Sequence, residues 1–398
     1  MESKHEAERA FKLIRRDAVD IFSAEGLHKR LCEGRPLRIK FGADPSRPDL
    51  HIGHSVVLRK LKLLQELGHE IIFVIGDFTS MIGDPSGQNK TRVPMTREQT
   101  RANGKTYFEQ VTKILDKERT RIVYNSEWLA PLMFEDVFTL AGKTTLARML
   151  ERDDFSKRYR ANRPIGLHEL LYPLMQGYDS VALNADIEVG GSDQTFNLLM
   201  GRELQKDYGQ VPQEVITFPL LLGLDGAEKM SKSLDNYIGI DENGASMFEK
   251  CMKVPDALLS DYFRLTSDLS EKEYLPLIEV DIRAAHFMYA RHIVTLYHGA
   301  EAAVIAERRY NAVASGGAPE DMDTIIIEEK SVGILELMRR CGFASSNSDA
   351  RRLIEGGGIK YDGVAVSDPH IMIDKDGVLS RGKNRFVRVH LRIHLMNP

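Results

Sequence analysis

The chain has 398 residues, 42% of them hydrophobic, and a formal net charge of −4. That is enough apolar content for two to three domain cores, and the wrong overall charge for a protein that simply coats nucleic acid. The polar N-terminus MESKHEAERAFKLIRR offers no signal peptide and no later run approaches membrane-spanning length, while Cys32, Cys251 and Cys341 lack any CxxC pairing; a cytosolic protein without disulfide framework or zinc knuckle is expected.

In chain order, the apolar runs LRIKFGA (37–43) and IIFVIG (71–76) flank the helical pattern SVVLRKLKLLQEL (55–67). The alternation continues through TREQTRANGKTYFEQVTKIL as helix, RIVYN as strand and a helical stretch from about Phe134 to Tyr159. Strands alternating with helices predict a parallel α/β sheet. After Asn236 the strand signals fade, and MFEKCMKV, ALLSDYFRL and AAHFMYARHIVTLYHGAEAAVIAERRYNAV predict a helical domain. SGGAPEDMD (315–323) has linker composition and a small α+β unit follows, so the expected division is 1–235, 236–323 and 324–398.

His51-Ile52-Gly53-His54 follows the first strand through the turn DPSRPDL and opens a helix. Free N–H groups and the dipole at a helix N-terminus attract phosphate, two imidazoles three residues apart share one face, and Gly53 admits close approach. Alone, the tetrad is equally a first turn of surface histidines, and a metal reading lacks a third ligand. Far downstream, Lys229-Met230-Ser231-Lys232-Ser233 follows Gly223 and Gly226 with no helical period across it, so two lysines and two hydroxyls stand on a loop able to close over a triphosphate. Each motif alone is weak; in this order, on these elements, they reinforce each other.

HELLYPLMQGYDSV (168–181) reads as a helix with Leu171, Leu174, Met175 and Tyr178 on an apolar face and Tyr172, Gln176 and Asp179 on another. That second face meets either water or a ligand.

The HIGH and KMSKS pair resembles the signature of class I aminoacyl-tRNA synthetases, which implies a Rossmann-type catalytic domain, ATP with Mg²⁺ as substrate complex and a tRNA partner. The resemblance gives transition-state stabilisation to His51 and His54 and the departing pyrophosphate to Lys229, Lys232 and Ser233. No side-chain nucleophile is implied, because such catalysis is alignment plus stabilisation of charge growing on phosphate oxygens. No carboxylate cluster identifies a dedicated protein metal site. The Tyr172, Gln176, Asp179 spacing is similar to the pocket helix of the tyrosyl branch, where tyrosine and glutamine hold the substrate's amino end and aspartate meets its phenol. A buried acceptor for a hydroxyl rejects phenylalanine, tyrosyl enzymes being the standard example of this logic.

Other segments match the same branch. GDFTSMIGDPSG (76–87) resembles its Ile-Gly-Asp-Pro-Ser turn, which implies Asp84 near the substrate ammonium and Arg92 near the mobile loop and ATP. Asn125 and Trp128 stand as its Asn-x-x-Trp pair, and EVGGSDQTFN (188–197) matches its Gly-Gly-Ser-Asp-Gln run. By resemblance Gly191 and Asp193 approach the ATP ribose and Gln194 the amino acid, with Asp44 and Gly53 also on the ATP side. Two positions depart from the pattern. Lys40 stands where a second phenol-binding tyrosine is common, and Gln88 where a lysine is common, with Lys90 as a compensating candidate. A pairing of Lys40 with Asp179 is one expectation.

From Ser331 onward, eleven Lys and Arg stand against seven Asp and Glu, a basic end on an acidic chain. SNSDARRLIEGGG reads as a capped helix, IKYDGVAV holds an Asp-Gly hairpin turn, and RFVRVHLRI alternates as a half-exposed strand. The unit is similar to the small RNA-binding fold first known from a ribosomal small-subunit protein, implying RNA contacts from Arg351, Arg352, Arg388 and Arg392. Resemblance also implies a homodimer, with tyrosine, ATP and tRNA(Tyr) as partners and no membrane. Two other readings remain open: a tryptophan-activating or cofactor-building nucleotidyltransferase of the same fold, and a non-catalytic RNA-binding paralogue.

Overall fold

The computed structural model describes residues 2–45, 49–84, 96–319, 322–382 and 385–392. Two compact units emerge: Met1–Glu242 with Lys253–His286, and Asn243–Met252 with Phe287–Pro398. In the first unit, strands β1 (Asp20–Phe22), β2 (Arg38–Ala43), β3 (Glu70–Ile75), β4 (Thr120–Tyr124), β5 (Ile187–Gly191) and β6 (Glu214–Phe218) form one sheet in the order β1-β6-β5-β2-β3-β4. All neighbours are parallel except β1, which runs antiparallel to β6. β3 is buried along nearly its whole length, the pattern of a parallel strand covered on both faces.

The chain moves outward from β2 through β3 to β4, then returns to lay β5 on the opposite side of β2. Where strand order reverses, crossovers leave on opposite faces and a crevice opens at the carboxyl ends of the two strands. Asp44 follows β2 and Asp193 follows β5, so the sequence delivers both to that crevice.

The expected helix from Phe134 to Tyr159 is instead three: Phe134–Ala141, Leu146–Met149 and Asp153–Arg160. Gly142 follows the first, and the Thr145 hydroxyl caps the second by accepting the Arg148 N–H, so local side-chain bonding wins over helix continuation. The helix Leu167–Leu183 ends at Asn184 in the left-handed conformation and packs closely on Thr195–Asp207. A Cβ at Gly177 would lie 3.1 Å from Gly201 N and 3.2 Å from the Met200 carbonyl carbon, which is why a glycine stands at the contact. Among the described residues, no helix is long and apolar enough to cross a membrane.

In the second unit, the helices Gly244–Cys251 and Ala300–Ala314 pack through Phe248 and Tyr310, ring centroids 5.6 Å apart. Beyond them, β7 (Asp323–Ile327), β9 (Ile359–Tyr361), β10 (Val364–Ala365), β12 (Gly377–Arg381) and β13 (Arg385–Leu391) form a sheet in the order β10-β9-β12-β13-β7, beside a two-stranded β8 (Val332–Gly333) and β11 (Met372–Ile373). Ile334, Leu337, Ala350, Ile354, Leu379 and Val389 are central to its core. Asp362 and Gly363 both have positive φ, 47° and 78°, the conformation an Asp-Gly hairpin turn requires.

Candidate active site

The two motifs predicted to share a nucleotide meet through backbone. Ile52 N–H donates to Ile238 O over 2.9 Å and Ile240 N–H to Leu50 O over 2.9 Å, pinning the start of the Ile52–Glu66 helix to the segment just after KMSKS. The loop is fixed from within: Met230 N–H donates to Leu221 O, 2.8 Å, and the buried Asn236 side chain accepts from Ser231 N–H, 2.7 Å. Lys232–Leu234 forms a single tight turn, and Ser233 is exposed.

The His51 and His54 rings lie with centroids 3.9 Å apart and planes tilted by 45°. The main-chain N–H of His51 donates to His54 Nδ1 over 3.2 Å, which leaves the His54 proton on Nε2. Burial holds the His51 imidazole well below its ordinary range, aided by His54, Lys232 and Lys229; burial and Lys232 bring His54 down to about 4. Both rings are therefore neutral donors at pH 7. His51 Nδ1 is buried without a hydrogen-bond partner among the described residues. Gly53 makes the geometry possible, because a Cβ there would stand 2.9 Å from that same nitrogen.

Lys229 Nζ lies 2.7 Å from Asp193 Oδ2, joining the loop to the end of β5. Lys232 Nζ sits 5.6 Å over the ring of buried Tyr107. Gly191 is close to Asp193 in space as well as sequence: a Cβ would be 2.8 Å from Asp193 Oδ1 and 2.8 Å from Leu220 Cδ2.

The residues expected to hold the amino acid lie in two polar clusters along the Leu167–Leu183 helix. Tyr172 Oη donates to Asp44 Oδ2, 2.9 Å, and Thr79 Oγ1 to Asp44 Oδ1, 2.7 Å. Asn197 Nδ2 donates to Gln176 Oε1 and to Gln194 Oε1, both 3.0 Å, and Gln194 Nε2 to Asp84 Oδ2, 2.9 Å. Buried Arg152 reaches Asn197 at 3.0 Å and Asp84 at 3.4 Å. Asp179 accepts from Trp128 Nε1, 2.8 Å, and Asn125 Nδ2, 3.4 Å. Burial pushes its carboxyl up to about 7; Lys40, Trp128 and Asn125 pull against that and Glu188 adds to it. All the predicted amino-acid residues thus fall in one region.

Lys40 does not pair with Asp179. It is fully buried, and its ammonium lies 2.8 Å from Glu188 Oε1, its register partner across β2 and β5. The parallel register of β2 and β5 sets Glu188 directly opposite Lys40, within ion-pair reach. Arg92, Gln88 and Lys90 lie outside the described residues.

Sequence reasoning missed Thr79, Ser180, Glu188, Arg152 and Asn197. Glu188 carried a signal, being an acid in an apolar strand run; Asn197 lay one helical turn beyond Gln194. Thr79 and Arg152 had none, since only the fold brings them to Asp44 and Asp84. Among the described residues, no group of three or more His, Cys, Asp or Glu is placed to hold a metal ion.

In the second unit, Arg351 and Arg352 project from the Asn347–Glu355 helix, capped by Ser346, and line an open depression with Ser345, Ser348 and Asp349. Arg352 is bonded to Asp349 at 2.8 Å. Arg388 stands exposed on β13 and Arg392 just beyond it.

Residues 33–315 match the family model for class I tRNA synthetases (W and Y), and residues 333–378 match the S4 domain. The chain is similar to a tyrosine–tRNA ligase of Moorella thermoacetica, 48% identical with 97% of each chain covered, and to one of Burkholderia thailandensis, 51% identical over 92% of this chain and 91% of that one. Its fold is shared with the tyrosyl-tRNA synthetase of Archaeoglobus fulgidus solved with L-tyrosine (TM-score 0.63, 23% identity, 75% of this chain and 99% of that one). A truncated mitochondrial tyrosyl-tRNA synthetase of Aspergillus nidulans is also similar (TM-score 0.63, 22% identity, 78% and 99% covered). With the strand-order reversal and the joined histidine and lysine motifs in the first unit, and the family match over residues 33–315, this chain belongs to the class I tRNA synthetases of the tryptophan and tyrosine branch.

Proposed function

We propose that the chain activates L-tyrosine with ATP and transfers it to the 3′-terminal adenosine of tRNA(Tyr). The observation that carries the tyrosine reading is Asp179, a buried carboxylate on the helix that also presents Tyr172 and Gln176. Trp128 and Asn125 each donate to one of its oxygens, and the lone pairs that remain can accept a substrate hydroxyl. A tyrosine carboxylate oxygen attacks the α-phosphorus of ATP, the bond from that phosphorus to the β-bridging oxygen breaks, and pyrophosphate leaves. A ribose hydroxyl of the tRNA end then attacks the carbonyl carbon of the adenylate and AMP departs.

In this reading Tyr172, Gln176, Asp84, Gln194 and Asn125 orient the amino acid, Asp44, Gly53, Gly191, Asp193 and Arg92 receive ATP as its magnesium complex, and Arg351, Arg352, Arg388 and Arg392 contact RNA. His51 and His54, as neutral donors, and Lys229, Lys232 and Ser233 meet the phosphates. Catalysis is placement, with donors fixed before charge develops. A catalytic part, 1–235, is followed by a helical anticodon-reading part, 236–323, and an RNA-binding part, 324–398.

A homodimer in the cytosol completes the reading. Its support is a set of exposed apolar side chains in one stretch of the first unit, Met133, Phe134, Phe138, Leu146, Tyr159 and Leu167, each at least 61% exposed. So much exposed apolar surface marks an interaction face. Charging of tRNA(Tyr) with labelled tyrosine tests the function, with other tRNAs as controls; failure to charge any tRNA, with adenylate still formed, would leave only the activation half standing.

A further inference from the structure

A fully buried ion pair lies beneath the pocket helix. Lys40 Nζ has three partners: Glu188 Oε1 at 2.8 Å, Ser180 Oγ at 2.8 Å and the Gln176 carbonyl oxygen at 2.9 Å. Glu188 Oε2 in turn accepts from Ser180 Oγ, 3.0 Å, and from Gln213 Nε2. Lys40 and Glu188 are both fully buried, on adjacent strands at the strand-order reversal. The two groups Lys40 takes from the helix, at 176 and 180, bracket Asp179.

A buried ion pair stabilises little in net terms, and replacing it with apolar groups is often neutral or favourable, so its place calls for a reason other than stability. Resting on the tyrosine reading above, we propose that the Lys40–Glu188 pair is a positioning device for phenol recognition: Lys40 clamps the 176–180 turn to β2 and β5 and supplies the buried positive charge against which Asp179 is held toward the substrate hydroxyl. Lys40 touches no substrate; it acts through Asp179 and Gln176.

The charged groups around Asp179 fix the sign. Lys40 on β2 favours its ionised form and Glu188 on β5 opposes it, while Asn125 and Trp128 donate to it from the segment after β4. The other carboxylates on the elements around it are engaged elsewhere, Asp44 by Tyr172 and Thr79, and Asp77 by Ser126 and Arg101. Losing Lys40 therefore makes Asp179 harder to ionise and losing Glu188 makes it easier, a pair of opposite effects that mere structural damage does not produce.

The test is the pH profile of kcat/KM for tyrosine in ATP–pyrophosphate exchange, on the intact chain and on Lys40→Met and Glu188→Gln. The acid limb moves to higher pH in Lys40→Met and to lower pH in Glu188→Gln, and the preference for tyrosine over phenylalanine falls about tenfold or more in Lys40→Met. Should Lys40→Met fail to fold, Glu188→Gln, which keeps an amide able to bond Ser180, decides alone. A limb that stays put or moves up in folded Glu188→Gln overturns the proposal. Absence of tyrosine-dependent exchange in the unaltered protein would instead overturn the functional reading.

Discussion

Lys229 Nζ and Asp193 Oδ2 stand 2.7 Å apart, so the loop proposed to hold pyrophosphate is tethered to the carboxylate proposed to hold the sugar. Both groups are partly exposed, and such a pair contributes about 0–1 kcal/mol to stability. With so small a contribution to the fold, a variant at Lys229 reads its proposed chemical role. Lys229→Ala is expected to lower the rate of adenylate formation about 10²-fold while leaving tyrosine affinity and the thermal midpoint nearly unchanged. Single-turnover kinetics beside tyrosine titration checks this, and a parallel loss of tyrosine affinity would refute it.

His54 and Asp179 make a prediction in pH. His54, brought down to about 4 by burial and Lys232, binds its proton more readily unfolded than folded, so stability falls as pH drops from about 6.5 toward 4. Asp179, pushed up to about 7 by burial, binds its proton more readily folded, so it works the other way and favours the fold as pH drops from about 7 to 4. Urea unfolding at pH 7 and pH 5 separates them. His54→Gln is expected to lessen the acid loss, and Asp179→Asn to deepen it.

His54 is also expected to act as a neutral donor through Nε2. His54→Asn, which keeps a neutral N–H, should retain more exchange activity than His54→Ala, the latter losing about 10²-fold. Equal losses in the two variants would argue for a cationic or purely structural role.

Packing gives a prediction independent of chemistry. Gly177→Ala places a methyl 3.1 Å from Gly201 N and 3.0 Å from Leu204 Cδ1, and overpacking of this kind costs about 1–3 kcal/mol. Because Gly177 adjoins Gln176 on the pocket helix, tyrosine KM should rise with it. Denaturant melts and steady-state kinetics read the two effects on one sample.

For the basic segment, Arg351→Ala with Arg352→Ala is expected to weaken tRNA binding and flatten its salt dependence while leaving pyrophosphate exchange intact. Filter binding at two salt concentrations is the check.

Much of this site was legible in the residues. The period-based strands at Arg38–Ala43 and Glu70–Ile75 and the helix over Leu167–Leu183 follow from apolar patterning, and the HIGH and KMSKS motifs from their spacing and setting. What was not legible is long-range: Thr79 meeting Asp44, Arg152 meeting Asp84, and Lys40 choosing Glu188 over Asp179 depend on which strands become neighbours. The division of 134–159 into three helices turned on a threonine cap that competes with a periodicity it does not break. The short antiparallel β1 left no trace in pattern at three residues long.

The central claim is that this site selects tyrosine, and ATP–pyrophosphate exchange with tyrosine, phenylalanine and tryptophan offered separately tests it most directly. The account predicts exchange with tyrosine alone, and loss of that preference in Asp179→Ala. Exchange driven by tryptophan or phenylalanine in the unaltered protein would contradict the assignment of Tyr172, Gln176 and Asp179.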